Sequence, residues 1–182
     1  MSAFVWIVLA ALSFKSVDCG VAFDPPAHWT VRATPDCDFE LRPRGWSAMA
    51  KASPWPVPDP PLTLILYERG EAYESALADA EFERDGERLI IPGGQMGNAE
   101  AEPYVVGRFV GVVAHKLFRG FIRDQSRLPA DQSRVFSGEI EHVVLKTPEG
   151  RVIRLVCEGN TPDAHVDCDG AIRQVVRTLI IR

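Results

Sequence analysis

Apolar residues along this chain fall mostly into short continuous or alternating runs, and only two stretches repeat at helical spacing. Residues 62–67 (LTLILY) are almost wholly apolar, the pattern of a strand covered on both faces. Residues 136–146 and 151–157, rich in Val, Ile and Leu, read as two strands. The intervening Thr147-Pro148-Glu149-Gly150 is a hairpin turn ending in Gly. Residues 104–115 and 117–122 predict two more strands, with glycines at bends or close approaches. Shorter strands are expected at 28–33, 37–41 and 89–91.

Tyr73, Ala76, Leu77 and Ala80 predict a helix over 71–84, with Glu71 and Glu74 in the first turn, where the helix dipole favours acids. Ile172, Val175, Val176, Leu179 and Ile180 make one stripe of a closing amphipathic helix, with Asp169 as its N-cap. The five prolines of residues 54–61 (PWPVPDPP) impose a rigid extended connector. Hairpin connections and the excess of strands predict an α+β fold: a mainly antiparallel sheet with two principal helices on one side. Trp29, Trp46 and Trp55 in the N-terminal third are expected as buried anchors.

One apolar run changes the picture. Residues 3–12 (AFVWIVLAAL) are too few for a bilayer span, which needs roughly 20, but match the core of a signal peptide. Gly20-Val21-Ala22 supplies small residues for cleavage after Ala22. The expected organisation is a signal peptide at 1–22 and one globular domain at 23–182, periplasmic or secreted, with no transmembrane span in the mature chain. A lipid anchor at Cys19 is disfavoured by Ser16 and Asp18, which fit a lipoprotein signal badly. The alternative is that residues 3–12 form a buried segment of a cytosolic domain.

Cysteine spacing favours export. Cys157 ends a strand and Cys168 precedes the last helix, so a disulfide closing the short loop between them is expected, which requires an oxidising compartment; the alternative is two buried free thiols. Removal of the signal then leaves Cys37 odd, either free or paired with a second chain.

The formal charge of −5 argues against a general nucleic-acid binder, which needs a basic footprint. The charges are unevenly spread. Residues 68–87 hold eight acids against Arg69 and Arg84, whereas residues 108–134 hold six Lys and Arg against Asp124 and Asp131. This asymmetry suits a protein partner, with Arg119, Arg123 and Arg127 as candidate contacts. It equally suits two solvated faces, or a helix lying on a complementary sheet within the fold.

Candidate chemistry is sparse. Gly93-Gly94-Gln95-Met96-Gly97-Asn98 lacks the following Lys and helix of a phosphate cradle and reads as a turn. His165-Val166-Asp167-Cys168-Asp169-Gly170 imitates half of a calcium loop, but puts a nitrogen donor first and Val176 where the bidentate acid belongs. His28, His115, His142 and His165 lack metal-ligand spacing, although His115 and His142 are candidates to meet across a sheet. No catalytic residue, metal or cofactor is assigned.

The stretch Phe23-Asp24-Pro25-Pro26-Ala27-His28-Trp29 resembles the aromatic-Pro-x-Trp opening of PsbP/Mog1-type exported α/β-sandwich proteins. The late hairpin strand (GRVIRLVC) and the closing helix (AIRQVVRTLIIR) are similar to that group as well. The resemblance implies a mostly non-enzymatic adaptor or assembly factor and transfers no functional residue. The expected function is a non-enzymatic periplasmic protein-binding module, an adaptor or an inhibitor of a secreted effector. The alternatives are a small envelope hydrolase, with His115 or His142 as base and Ser126, Ser133 or Ser137 as nucleophile, and a structural envelope component.

Overall fold

The computed structural model describes residues 13–67, 73–121, 135–159 and 164–182. In chain order the elements are β1 (Phe14–Ser16), β2 (Val21–Phe23), β3 (Trp29–Ala33), β4 (Phe39–Pro43), α1 (Trp46–Ala52) and β5 (Leu62–Leu66). There follow α2 (Tyr73–Asp79), β6 (Glu83–Asp85), β7 (Arg88–Ile91), β8 (Ala99–Glu100) and β9 (Glu102–Val106). The chain closes with β10 (Phe109–Phe121), β11 (Val135–Lys146), β12 (Val152–Glu158), α3 (Cys168–Thr178) and β13 (Ile180–Ile181).

The frame is a seven-stranded sheet in the order β3-β4-β5-β12-β11-β10-β9, with every pairing antiparallel. Alternate residues of its central strands enter two different cores. Leu64, Val113, Val143, Leu145, Ile153 and Leu155 join the first, with Ile172, Val175 and Val176 of α3. Ala114, Val144 and Val152 enter the second, with Ala76 and Leu77 of α2 and Ile91 of β7. Burial on both faces is why the central runs are continuous and not alternating. It also corrects the expectation of helices on one side: α3 and α2 cover opposite faces.

The small sheets β1-β2-β13 and β6-β7-β8 flank the frame. The two helices expected are present, α2 over a shorter span than 71–84, and α1 is an addition. Trp46, its first residue, is buried and donates from Nε1 to the Pro58 carbonyl at 2.7 Å, fastening the proline segment. Trp55 is buried against Phe136, ring centroids 5.2 Å apart, and Trp29 packs partly buried on the first core.

The strands expected at 104–115 and 117–122 are divided elsewhere: the chain turns at Gly107 (φ 59°) and runs unbroken through β10. Gly120 answers to packing. A Cβ there would lie 2.0 Å from the Phe136 ring, so only glycine leaves room for it.

The structure brings the N-terminal region into the fold. β2 pairs with both β1 and β13, Val21 and Phe23 are core residues, and Cys19 is bonded to Cys37. Cys37 is therefore not odd. The boundary expected after Ala22 falls inside β2, and a cut there would remove β1, Cys19 and most of β2. Cys157 and Cys168 form the second disulfide, as their spacing predicts. No helix among the described residues is long and apolar enough to cross a membrane.

Candidate functional site: an acid–histidine cleft at the start of α3

Antiparallel register sets His115, Glu141, Cys157 and Leu62 side by side across four strands. Residues in such a row point to the same face, here the face covered by α3. Cys157 is bonded to Cys168, the first residue of α3, so the disulfide holds the helix start beside Glu141. His115, Glu139 and Glu141 from the sheet, with His165, Asp167 and Asp169 from the helix entry, line a cleft of about 230 Å³.

Most of these groups are already engaged. His115 Nδ1 lies 2.7 Å from Glu139 Oε1, a diagonal cross-strand contact. Asp167, not Asp169, is the N-cap and accepts from the Gly170 N–H at 3.0 Å. Asp169, inside the first turn, accepts from the Tyr104 hydroxyl at 2.7 Å and from Arg173 Nε at 2.8 Å. The Arg173 guanidinium also stands over the Tyr104 ring, 4.6 Å from its centroid. Burial pushes Asp169 upward, but the hydrogen bonds from Arg173 and Tyr104 outweigh it and keep this carboxyl below its ordinary value.

Glu141 differs. Its side chain belongs to a residue 5% exposed, and its buried Oε1 has no hydrogen-bond partner. Burial raises its pKa to about 7; Asp169 and Glu139 add to the rise, while His115 and Arg173 oppose it. Near neutral pH this carboxyl is poised between its neutral and charged forms.

His142, adjacent in sequence, faces the other way. It is opposite Ala114, whereas His115 is opposite Glu141, so the two histidines do not meet across the sheet. Both ring nitrogens of His142 are buried without hydrogen-bond partners. Burial lowers its pKa to about 4, aided by Lys116 and Arg154 and opposed by Glu81.

Arg119 is exposed on β10 opposite Ser137; Arg123, Arg127, Ser126 and Ser133 lie outside the described residues. Ser137 stands four residues along β11 from the position opposite His115, about 13 Å away at strand rise. That separation does not support Ser137 and His115 as a nucleophile–base pair, and His142 projects from the opposite face. Lys116 of β10 pairs at the surface with Glu81 just after α2, one contact between the basic and the acidic segment. The Gly93–Asn98 stretch forms a short 3₁₀ turn at Gly94–Met96.

A larger hollow of about 530 Å³ lies beside Cys19–Cys37, lined also by Asp36, Arg151 and Arg182. The acid–histidine cleft is the better candidate because it alone of the two contains a buried, unpartnered polar atom among the described residues. Its signal in the sequence is Glu139-Ile140-Glu141, two acids two apart on one face of a strand that continues into the apolar run Val143-Val144-Leu145. Comparison with family models, curated proteins and solved structures finds no match.

Proposed function

We propose that the chain is an exported, non-enzymatic protein of the periplasm or extracellular space that acts by binding a protein partner, as an adaptor or an inhibitor of a secreted effector. The observation that carries this reading is Glu141, a residue of the cleft wall whose buried Oε1 has no donor, beside groups most of which are already engaged. An unsatisfied buried acceptor is costly in the free protein, and an incoming donor relieves that cost. The cleft sits on sheet and helix tied by a disulfide, the kind of rigid support that recognition requires. Two disulfides support an oxidising compartment. The PsbP/Mog1-type assignment belongs to the same proposal and rests on the stretches that carry the resemblance.

The test is capture from the envelope fraction with the full chain tagged at its C-terminus, reading the bait's intact mass in the same run. The expected result is a bait shortened at its N-terminus, four hydrogens light for two disulfides, with one stoichiometric protein partner. A bait that keeps Met1 and free thiols overturns the compartment. A shortened, oxidised bait without a partner overturns the binding reading.

A further inference from the structure

We propose that the cleft between Glu139, Glu141 and the start of α3 receives a basic side chain, Lys or Arg, presented by the partner protein. This inference rests on the protein-binding reading above and identifies the chemistry of the contact.

Four observations lead there. The cleft's volume, about 230 Å³, is below the roughly 300–1,000 Å³ of small-molecule pockets, so it suits one side-chain head group better than a whole metabolite. Its walls carry four carboxyl groups, from Glu139, Glu141, Asp167 and Asp169. The acceptor that lacks a donor, Glu141 Oε1, is buried and belongs to a residue that lines the cleft, and a donor on a long slender stem suits an acceptor so placed. Finally, the molecule already holds one guanidinium by the same chemistry: Arg173 lies on the Asp169 carboxylate and over the Tyr104 ring.

A metal ion is the weaker occupant. His115 Nδ1 is held by Glu139, Asp167 caps α3 and Asp169 is held by Tyr104 and Arg173. Among the described residues, no three His, Cys, Asp or Glu side chains are disposed to share a metal.

Entry of a cation favours the ionised form of Glu141, so binding releases a proton and tightens as the pH rises through about 7. The charged groups facing Glu141 are His115 and Glu139 from the sheet and Asp169 and Arg173 from α3.

The experiment is an NMR titration of the oxidised protein with N-acetyl-arginine amide and N-acetyl-lysine amide, using N-acetyl-citrulline amide as the neutral isostere of arginine. Saturable shifts are expected at the amides of residues 115, 139, 141 and 167–169 with the two cations and not with citrulline. In Glu141→Gln the affinity should fall roughly ten- to hundred-fold, the loss of a buried charge-assisted hydrogen bond. Glu139→Gln should weaken binding less, and thermal melts confirm that both variants are folded. No saturable shift, equal shifts with citrulline, or unchanged affinity in Glu141→Gln overturns the proposal. So does saturation of the same amides by Ca²⁺ or Zn²⁺ in competition with arginine amide, which would make the cleft a metal site. The captures separate the two levels. A partner retained by both wild type and Glu141→Gln overturns only the cleft contact, whereas no partner for wild type overturns the protein-binding reading itself.

Discussion

Glu141 and His142 are chain neighbours buried on opposite faces of one sheet, each 5% exposed, and burial drives both toward their neutral forms. Each has buried polar atoms left without a hydrogen bond. A strand's two-residue period forces the divergence: if Glu141 faces α3, His142 must face α2. Their effects on stability have opposite signs.

Glu141 first. Its pKa is about 7 in the fold against an ordinary 4.5, so between these values the native state holds a proton that the unfolded chain has lost. Stability falls as pH rises through that window, by about 3 kcal/mol in all. Glu141→Gln removes the effect. Urea unfolding should find the variant more stable than wild type at pH 8, with the advantage gone by pH 4. An equal difference at both pH values would mean that this carboxyl does not titrate abnormally.

For His142 the ordinary value of 6.5 falls to about 4, so the unfolded chain takes up a proton that the native state refuses. Stability is lost as pH drops from 6.5 toward 4. In wild type this rise with pH opposes the Glu141 fall over about pH 4.5–6.5, and the net dependence from this pair is nearly flat. Single variants unmask each slope. Glu141→Gln should gain stability with rising pH over that range, and His142→Leu should lose it. The same sign of slope change in both variants would contradict the opposed assignment.

The disulfide between Cys157 and Cys168 has a local role beyond the loop it closes. Restricting an eleven-residue separation in the unfolded chain contributes about 2–3 kcal/mol. Cys157 also stands opposite Glu141, so the bond positions the helix start beside the cleft. Cys157→Ala/Cys168→Ala should lower stability by that amount and weaken arginine-amide binding several-fold under conditions where the protein is still folded. Lower stability with unchanged binding would confine the disulfide to a stabilising role.

At the far end of the long hairpin, Gly120 and Phe136 are cross-strand partners, and the Phe136 ring occupies the space a side chain at 120 would take. Trp55 and Phe118 pack against the same ring, which limits its retreat. Gly120→Val should cost about 1–3 kcal/mol through overpacking, read as a lower denaturant midpoint. Adding Phe136→Ala should recover part of that loss, because the steric conflict goes with the ring.

The central sheet is legible from residues 62–67, 136–146 and 151–157 because strands covered on both faces carry continuous apolar runs. The Cys157–Cys168 bond is legible for a local reason, a short loop between a strand end and a helix start. The cleft is only half legible. Glu139, Glu141 and the acids near residue 167 are visible, but their meeting with His115 depends on register, and register is a property of two strands together. α1 is hidden because its seven residues lack an acidic first turn and follow an N-cap, Gly45, in a left-handed conformation with no side chain to cap the helix. β1, β2 and β13 are hidden because each has two or three residues and is stabilised by distant partners. Gly20-Val21-Ala22 satisfies a small-residue cleavage pattern and a β-strand equally well.

That ambiguity makes the N-terminus the sharpest remaining test. Phe14, Phe23 and Phe39 form a three-ring cluster, with centroids 5.2 to 6.0 Å apart, and Cys19 is bonded to Cys37 just outside it. A chain beginning at Phe23 lacks Phe14, leaves Cys37 unpaired and uncovers the edge of β13. A chain beginning at Ser13 keeps all three features. Losing a disulfide and an aromatic anchor together should cost several kcal/mol. The longer form should therefore melt far higher and show no reactive thiol, while the shorter shows one and aggregates or melts early. Equal melting temperatures would mean that residues 13–22 contribute nothing to the fold, restoring cleavage after Ala22 as a natural boundary.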